Sequence, residues 1–191
     1  LISHKIAISG NICCGKSTFL ALLAKHFGKE NVISADEIVT KLYENEFITN
    51  PIVMMMKKYN PDIDFPFSKD QIKSLIGNKE FKKEIEHYVH PLVNLRISNS
   101  TALFVENPLL FETGQYLRYY ESWLVACDPE IQIKRLMERN KYDEETALKW
   151  ISMQMPLQEK IEKADRVFYN NDTIEELEKS IIAIKNEVIY S

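Results

Sequence analysis

The sequence predicts an α/β fold, a parallel sheet covered by helices on both faces. Two observations carry that expectation. Short apolar runs alternate with stretches of helical periodicity along the 191 residues, the pattern of strands returned to one sheet by crossover helices. A glycine-bounded loop, GNICCGKS at 10–17, stands between the first apolar run and the first helix. The length suits one domain with a sizeable core.

Taken in order, KIAIS (5–9) is the first strand, and STFLALLAKHFG is a helix closed by Gly28 as its C-cap. VISAD (32–36) is a second strand and EIVTKLYE a second helix, so the first three elements form a β-α-β unit. From Pro51 to about Ser100 the pattern turns helical and polar, with breaks expected at Pro61, Pro66, Gly77 and Pro91. TALFVEN (101–107) and SWLVACD (122–128) are buried strands; PEIQIKRLMERN is a helix with proline at its start, and DEETALKWISMQM is another. RVFYN (166–170) is the last strand, and TIEELEKSIIAIKNEVIY an amphipathic closing helix.

Composition narrows the function. Lys plus Arg number 24 against 28 Asp plus Glu, for a net charge of −4. That balance gives no broad basic surface for nucleic acid, so an anionic ligand must be met by a local site. Three cysteines, Cys13, Cys14 and Cys127, suit neither a disulfide framework nor a zinc spacing and read as reduced thiols. No run reaches the length of a membrane span, and LISHKIAIS has no export-signal pattern. The expectation is a cytoplasmic protein off the membrane.

Gly10, Gly15, Lys16 and Ser17 satisfy G-x-x-x-x-G-K-[ST] after a strand and before a helix, the context that pattern needs. Amides of Asn11, Ile12, Cys13, Cys14, Gly15, Lys16 and Ser17, with Thr18 following, would cradle phosphate at a helix N-terminus. The Lys16 ammonium would neutralise β- and γ-phosphate oxygens, and the Ser17 hydroxyl would hold Mg²⁺. ATP with Mg²⁺ is the expected ligand. Two thiols at mid-loop read as small spacers rather than catalytic groups, since phosphoryl transfer needs no thiol. Lying near a helix N-terminus and Lys16, they should be thiolate-prone and open to alkylation.

Asp36 ends the second strand on the same sheet edge as the loop. There its carboxylate serves either as base toward an attacking hydroxyl or as N-cap of the next helix. Glu106 closes the third apolar run and serves either the metal shell or a hydrogen bond to the loop. Gln132, Arg135 and Arg139 share a helix face; Arg139 is either a lid cation over the transferring phosphate or part of a solvated face. NKYD (140–143) matches a guanine-recognition pattern, but no D-x-x-G accompanies it, which argues against a nucleotide-dependent switch. His87 and His90 share a helix face without further metal ligands nearby, and Met54, Met55 and Met56 read as packing.

Together these residues resemble the dephospho-CoA kinase family over nearly the whole chain. The resemblance rests on the loop, the AD of SAD, HP at His90 and Pro91, PLLFE at 108–112 and Q-x-x-R-x-x-x-R from Gln132 to Arg139. It extends to Gln154 in ISMQMP, Lys160, and Asn170 after RVFY. It implies transfer of the ATP γ-phosphate to the ribose 3′-hydroxyl of dephospho-CoA, the last step of coenzyme A synthesis. The implied architecture is a three-layer P-loop kinase fold with a five-stranded parallel sheet. Its core would span about 1–48, 101–138 and 158–191, with a helical CoA domain at about 50–100 and a lid at about 139–157. Asp36 would be the base, Lys16 and Arg139 phosphate clamps, and Ser9 a small polar residue below the loop on the substrate side. His90 and Arg96 would help hold the CoA-side substrate. The family more often carries glycine at positions 11 and 13 and aspartate at 106. A nucleoside or nucleotide kinase is the nearest alternative.

Overall fold

The computed structural model describes residues 2–63 and 66–189; Tyr190, assigned above to the last helix, lies outside them. Five strands form one sheet in the order β2-β3-β1-β4-β5. They are β1 (Ile2–Gly10), β2 (Val32–Ser34), β3 (Phe104–Glu106), β4 (Tyr119–Ala126) and β5 (Arg166–Tyr169). β1 runs parallel to β3 and to β4, and β4 parallel to β5. Consecutive Ile6, Ala7 and Ile8 are all buried, as a strand covered on both faces requires. The chain divides into two compact units, Leu1–Ile33 with Thr101–Ser191, and Ser34–Ser100.

In the first unit α1 (Lys16–Phe27) follows the glycine loop and ends at Gly28, whose φ of 97° suits only glycine and whose N–H donates to the Ala24 carbonyl. α6 (Pro129–Asn140), α7 (Glu144–Ser152), α8 (Leu157–Lys163) and α9 (Ile174–Ile189) complete it. Phe19, Phe104, Trp123 and Phe168 meet in one aromatic cluster, with Phe19 edge-on to Trp123 at 6.4 Å and Phe168 5.1 Å from Trp123. The cluster ties the first turn of α1 to the middle of the sheet. Glu178 of α9 accepts from Lys25 at 2.7 Å and pairs with His26 at 2.5 Å, fastening α9 to the end of α1. At the other end of β4, Ser122 N–H and Oγ both donate to Asp165 Oδ2 at 2.7 Å, which starts β5 in register.

The second unit holds α2 (Ala35–Leu42), α3 (Glu46–Lys57), α4 (Lys69–Ile76) and α5 (Lys79–Asn99). Ser68 and Gln71 close a reciprocal capping box at the start of α4. Pro91 does not break the chain as expected but lies inside α5. It forfeits one backbone hydrogen bond, which the buried stripe Phe81, Ile85, Val89, Val93 and Ile97 on either side of it offsets. Pro51 likewise lies within α3, which begins at Glu46 and is capped by Asn45.

Three further boundaries move. β2 stops at Ser34, so Asp36 stands in the first turn of α2 and is neither a strand end nor its N-cap, which is Ser34. β4 starts at Tyr119, ahead of the apolar run. The helix expected to reach Met155 ends at Ser152, and α8 begins after Pro156.

Truncating the aromatic hub, Trp123→Ala, should lower stability by about 3–5 kcal/mol, the range for emptying a buried aromatic site. Urea unfolding followed by circular dichroism reads the loss; a change below about 1 kcal/mol would show that the cluster does not hold the sheet to α1.

Candidate active site

The loop between β1 and α1 borders a cavity of about 560 Å³, lined by Asn11, Ile12, Cys13, Lys16, Ser17 and Glu106 and flanked by Arg135, Arg139 and Gln154. Register explains the meeting. Ile8 pairs with Glu106 of β3 and Gly10 with Val125 of β4, so the loop emerges between the ends of two neighbouring strands. A Cβ on Gly10 would come within 2.7 Å of the Val125 carbonyl oxygen, closer than packing allows. Gly15 has φ 85°, and a Cβ there would collide with the Asn170 carboxamide. Both glycines are thus demanded by neighbours far away in sequence.

Cys13 takes a left-handed φ of 61°, where a side chain costs roughly 1–2 kcal/mol. The turn is held from several directions. Cys14 N–H donates to the Asn11 carbonyl at 3.2 Å, and Asn170 Nδ2 donates to the Cys14 carbonyl at 3.0 Å. Gln132 Nε2 donates to the Ile12 carbonyl at 2.9 Å, while Gln154 Oε1 accepts from the Ile12 N–H at 2.9 Å. Arg135 Nη1 donates to the Asn170 carbonyl at 2.8 Å. Of the face-sharing trio on α6, Gln132 and Arg135 therefore brace the loop, and exposed Arg139 borders the cavity with its Nε donating to Asn140 Oδ1. Lys141 then turns left-handed and Asp143 caps α7 by accepting from Thr146 N–H, so NKYD spans the end of α6 and the turn into α7.

Lys16 Nζ is paired with Glu106. This hydrogen bond to the loop is one of the two roles expected of Glu106; its carboxylate, a half-buried neighbour of the exposed Ser17 hydroxyl on the same cavity, remains oxygen chemistry suited to Mg²⁺. Among the described residues no three His, Cys, Asp or Glu side chains cluster as a protein-only metal site. One hydroxyl and one carboxylate fit an ion that arrives largely held by phosphate and water. Ser9 is buried beneath the loop and donates to the Pro108 carbonyl at 3.2 Å. Fully buried Lys160 of α8 pairs with Glu112, the last residue of PLLFE, at 2.6 Å.

In the second unit, Asp36 and His90 are exposed on α2 and α5. Arg96 lines a pocket of about 160 Å³ with Ile38, Lys41, Leu42, Asn45 and Ile48.

The thiols differ from expectation. Burial pushes the Cys13 thiol above its ordinary range, outweighing the opposite pull of Arg139. Cys14 is fully buried, and its hydrogen bond with Cys127 and its burial push it up strongly. Neither loop cysteine is thiolate-prone. What sequence spacing could not give is the partner: Cys127, 113 positions away, has its Sγ 3.0 Å from that of Cys14. In the sequence, Gln154 and Asn170 stand only as motif residues and Gln132 as a member of a shared helix face, and no local signal reveals what they touch.

Parallel sheet, glycine loop, helix N-terminus and adjacent lysine define a P-loop kinase fold. The family model for dephospho-CoA kinase matches residues 4–176. Dephospho-CoA kinases of Oceanobacillus iheyensis and Geobacillus kaustophilus are 34% and 32% identical, over 90% and 94% of this chain and the same shares of theirs. The crystal structure of a Thermus thermophilus protein matches with a TM-score of 0.75 at 29% identity, covering 95% of this chain and 96% of that one. A dephospho-CoA kinase from Campylobacter jejuni matches with a TM-score of 0.58 at 25% identity, covering 98% of each. The chain belongs to the dephospho-CoA kinase family.

Alkylation tests the account of the thiols. Because the thiolate is the reacting form, a raised pKa means a smaller reactive fraction at pH 7 and a rate that climbs through a midpoint above that of a free thiol. Iodoacetamide should label native Cys13 slowly, with such a profile, and reach Cys14 and Cys127 only after unfolding. Labelling of native Cys14 as fast as Cys13, read by mass spectrometry, would contradict the burial.

Proposed function

We propose that this chain transfers the γ-phosphoryl group of ATP to the ribose 3′-hydroxyl of dephospho-CoA, giving CoA and ADP. The observation that carries the reading is the braced amide loop with Lys16 at its rim, in a chain whose residues 4–176 match the family model.

Amides of residues 11–17, with Thr18 following in α1, would receive the phosphates, and the partial positive charge of the α1 N-terminus adds to their pull. Lys16 exchanges Glu106 for β- and γ-phosphate oxygens, and Arg139 closes on the transferring group as negative charge spreads over its oxygens. Ser17 would hold Mg²⁺ directly and Glu106 through water; the ion, when bound, neutralises phosphate charge. Asp36 follows β2 as the loop follows β1, and its exposed carboxylate accepts the proton of the attacking 3′-hydroxyl or orients that hydroxyl in line. His90 and Arg96 hold the CoA-side substrate, with about 50–100 as its helical domain. Buried Ser9 supports the turn under the substrate from the Pro108 side. The segment at about 139–157 acts as the lid. Its Gln154 occupies the Ile12 amide and has to yield or share it when phosphate arrives. No helix among the described residues is long and apolar enough to cross a membrane, and we place the reaction in the cytoplasm.

ADP release measured with dephospho-CoA, AMP, adenosine and shikimate as acceptors should show turnover with dephospho-CoA alone; transfer to AMP or adenosine instead would make the protein a nucleotide or nucleoside kinase. Asp36→Asn should bind ATP as before and lose about 10²- to 10⁴-fold in kcat, the usual share of a general base. Turnover within about threefold of the parent would remove Asp36 from the chemistry.

A further inference from the structure

Phosphoryl transfer leaves one pair of groups at the site without a task. Cys14, inside the phosphate loop, and Cys127, just past the end of β4, are both fully buried and lie with sulfurs 3.0 Å apart, within hydrogen-bond reach and unbonded. We propose that Cys14 and Cys127 are a reversible oxidation site: hydrogen peroxide closes them into a disulfide, and the closed form disables the phosphate loop.

Geometry decides which side moves. Cys127 is anchored on both flanks: Asn170 N–H donates to the Ala126 carbonyl at 2.8 Å, and Asp128 N–H donates to Asn171 Oδ1 at 2.8 Å. Ala126 itself pairs with Tyr169 of β5 within the sheet. Cys14 belongs to a turn outside any strand ladder, held by separate hydrogen bonds with Asn11, Asn170 and Gln132 and flanked by left-handed residues at Cys13 and Gly15. Closing a 3.0 Å gap to a bond of about 2.0 Å therefore draws the loop toward the sheet rather than the sheet toward the loop. A displacement near 1 Å is enough to cost about 10²-fold where a site works by positioning, and the amides next to Cys14 are the ones expected to meet phosphate.

The chemistry balances with peroxide as the only co-reactant. Cys127 is the thiol that ionises first: the Cys14 hydrogen bond and Arg135 lower it, whereas Cys14 keeps its proton. The Cys127 thiolate attacks one peroxide oxygen, the O–O bond breaks, and with one proton taken up the products are a sulfenic acid and water. Cys14 sulfur then attacks the Cys127 sulfur, the S–O bond breaks, and the hydroxide leaves as water with the Cys14 proton. Two thiols and one hydrogen peroxide give one disulfide and two waters. Peroxide is scarcely larger than water, and Cys13, next to Cys14 in the loop, lines the cavity. A dithiol reverses the bond by exchange.

The test treats the intact protein with hydrogen peroxide, alkylates the remaining thiols, maps linked peptides by mass spectrometry, and titrates MgADP calorimetrically before and after dithiothreitol. Both readouts are independent of the acceptor, so failure of the dephospho-CoA assignment leaves this result standing. The expected result is a Cys14–Cys127 link with Cys13 still alkylatable, at least tenfold weaker MgADP binding, and full recovery on reduction. Cys127→Ala should bind MgADP like the reduced parent and keep that affinity in peroxide. If that variant does not fold, the peptide map and titration of the parent decide alone. A link involving Cys13, single-thiol over-oxidation without a link, thiols left free where peroxide consumes glutathione, or a linked protein with undiminished affinity would each overturn the proposal.

Discussion

The site depends on the Asn170 carboxamide. From the end of β5 it donates to the Cys14 carbonyl, crosses directly under Gly15, and through its own backbone joins the end of β4 and the guanidinium of Arg135. A loop whose amides must face outward toward anions cannot satisfy its carbonyls with those same amides; the carbonyls need donors from elsewhere. Asn170 and Gln132 supply two of them. The left-handed turn at Gly15 and the absence of side-chain bulk there make room for that carboxamide, and the strand order β1-β4-β5 brings it under the loop. With the fifth strand displaced, the loop would lose its floor.

The same logic gives the cavity rim its character. Lys16 sits on Glu106, and the Ile12 amide on Gln154, so a cation and a donor facing the cavity are each matched by a side-chain acceptor. In the proposed reaction, incoming phosphate would replace acceptors already in place. Exposed Arg139 at the rim donates to the neighbouring Asn140 side chain.

How much of this was legible in the sequence follows from the range of each signal. The alternation of apolar runs with helices marks a parallel sheet because burial on both faces is a local demand, seen in Ile6, Ala7 and Ile8. Gly10, Gly15, Lys16 and Ser17 are adjacent enough to read as one device. Helix ends were harder: Pro91 is a strong local breaker overruled by a long buried stripe, and α8 is too short to announce itself between Pro156 and β5. Least legible were the contacts that span the chain. Cys14 with Cys127, Gln154 with Ile12 and Asn170 with the loop join residues more than a hundred positions apart, and nothing in spacing or periodicity encodes such partners. The thiols show the consequence, since a local reading gave them an electropositive, reactive setting and the fold gives them burial.

The most direct test of the central claim is a calorimetric titration of MgATP into Asn170→Ala beside the parent, at a temperature where both are folded. If the carboxamide holds the loop in its receiving shape, losing that hydrogen bond, ordinarily about 1 kcal/mol or somewhat more, together with the preorganisation it maintains, should weaken binding about tenfold or more. Affinity equal to the parent's would contradict the account, because the loop would then hold its shape without the floor described here.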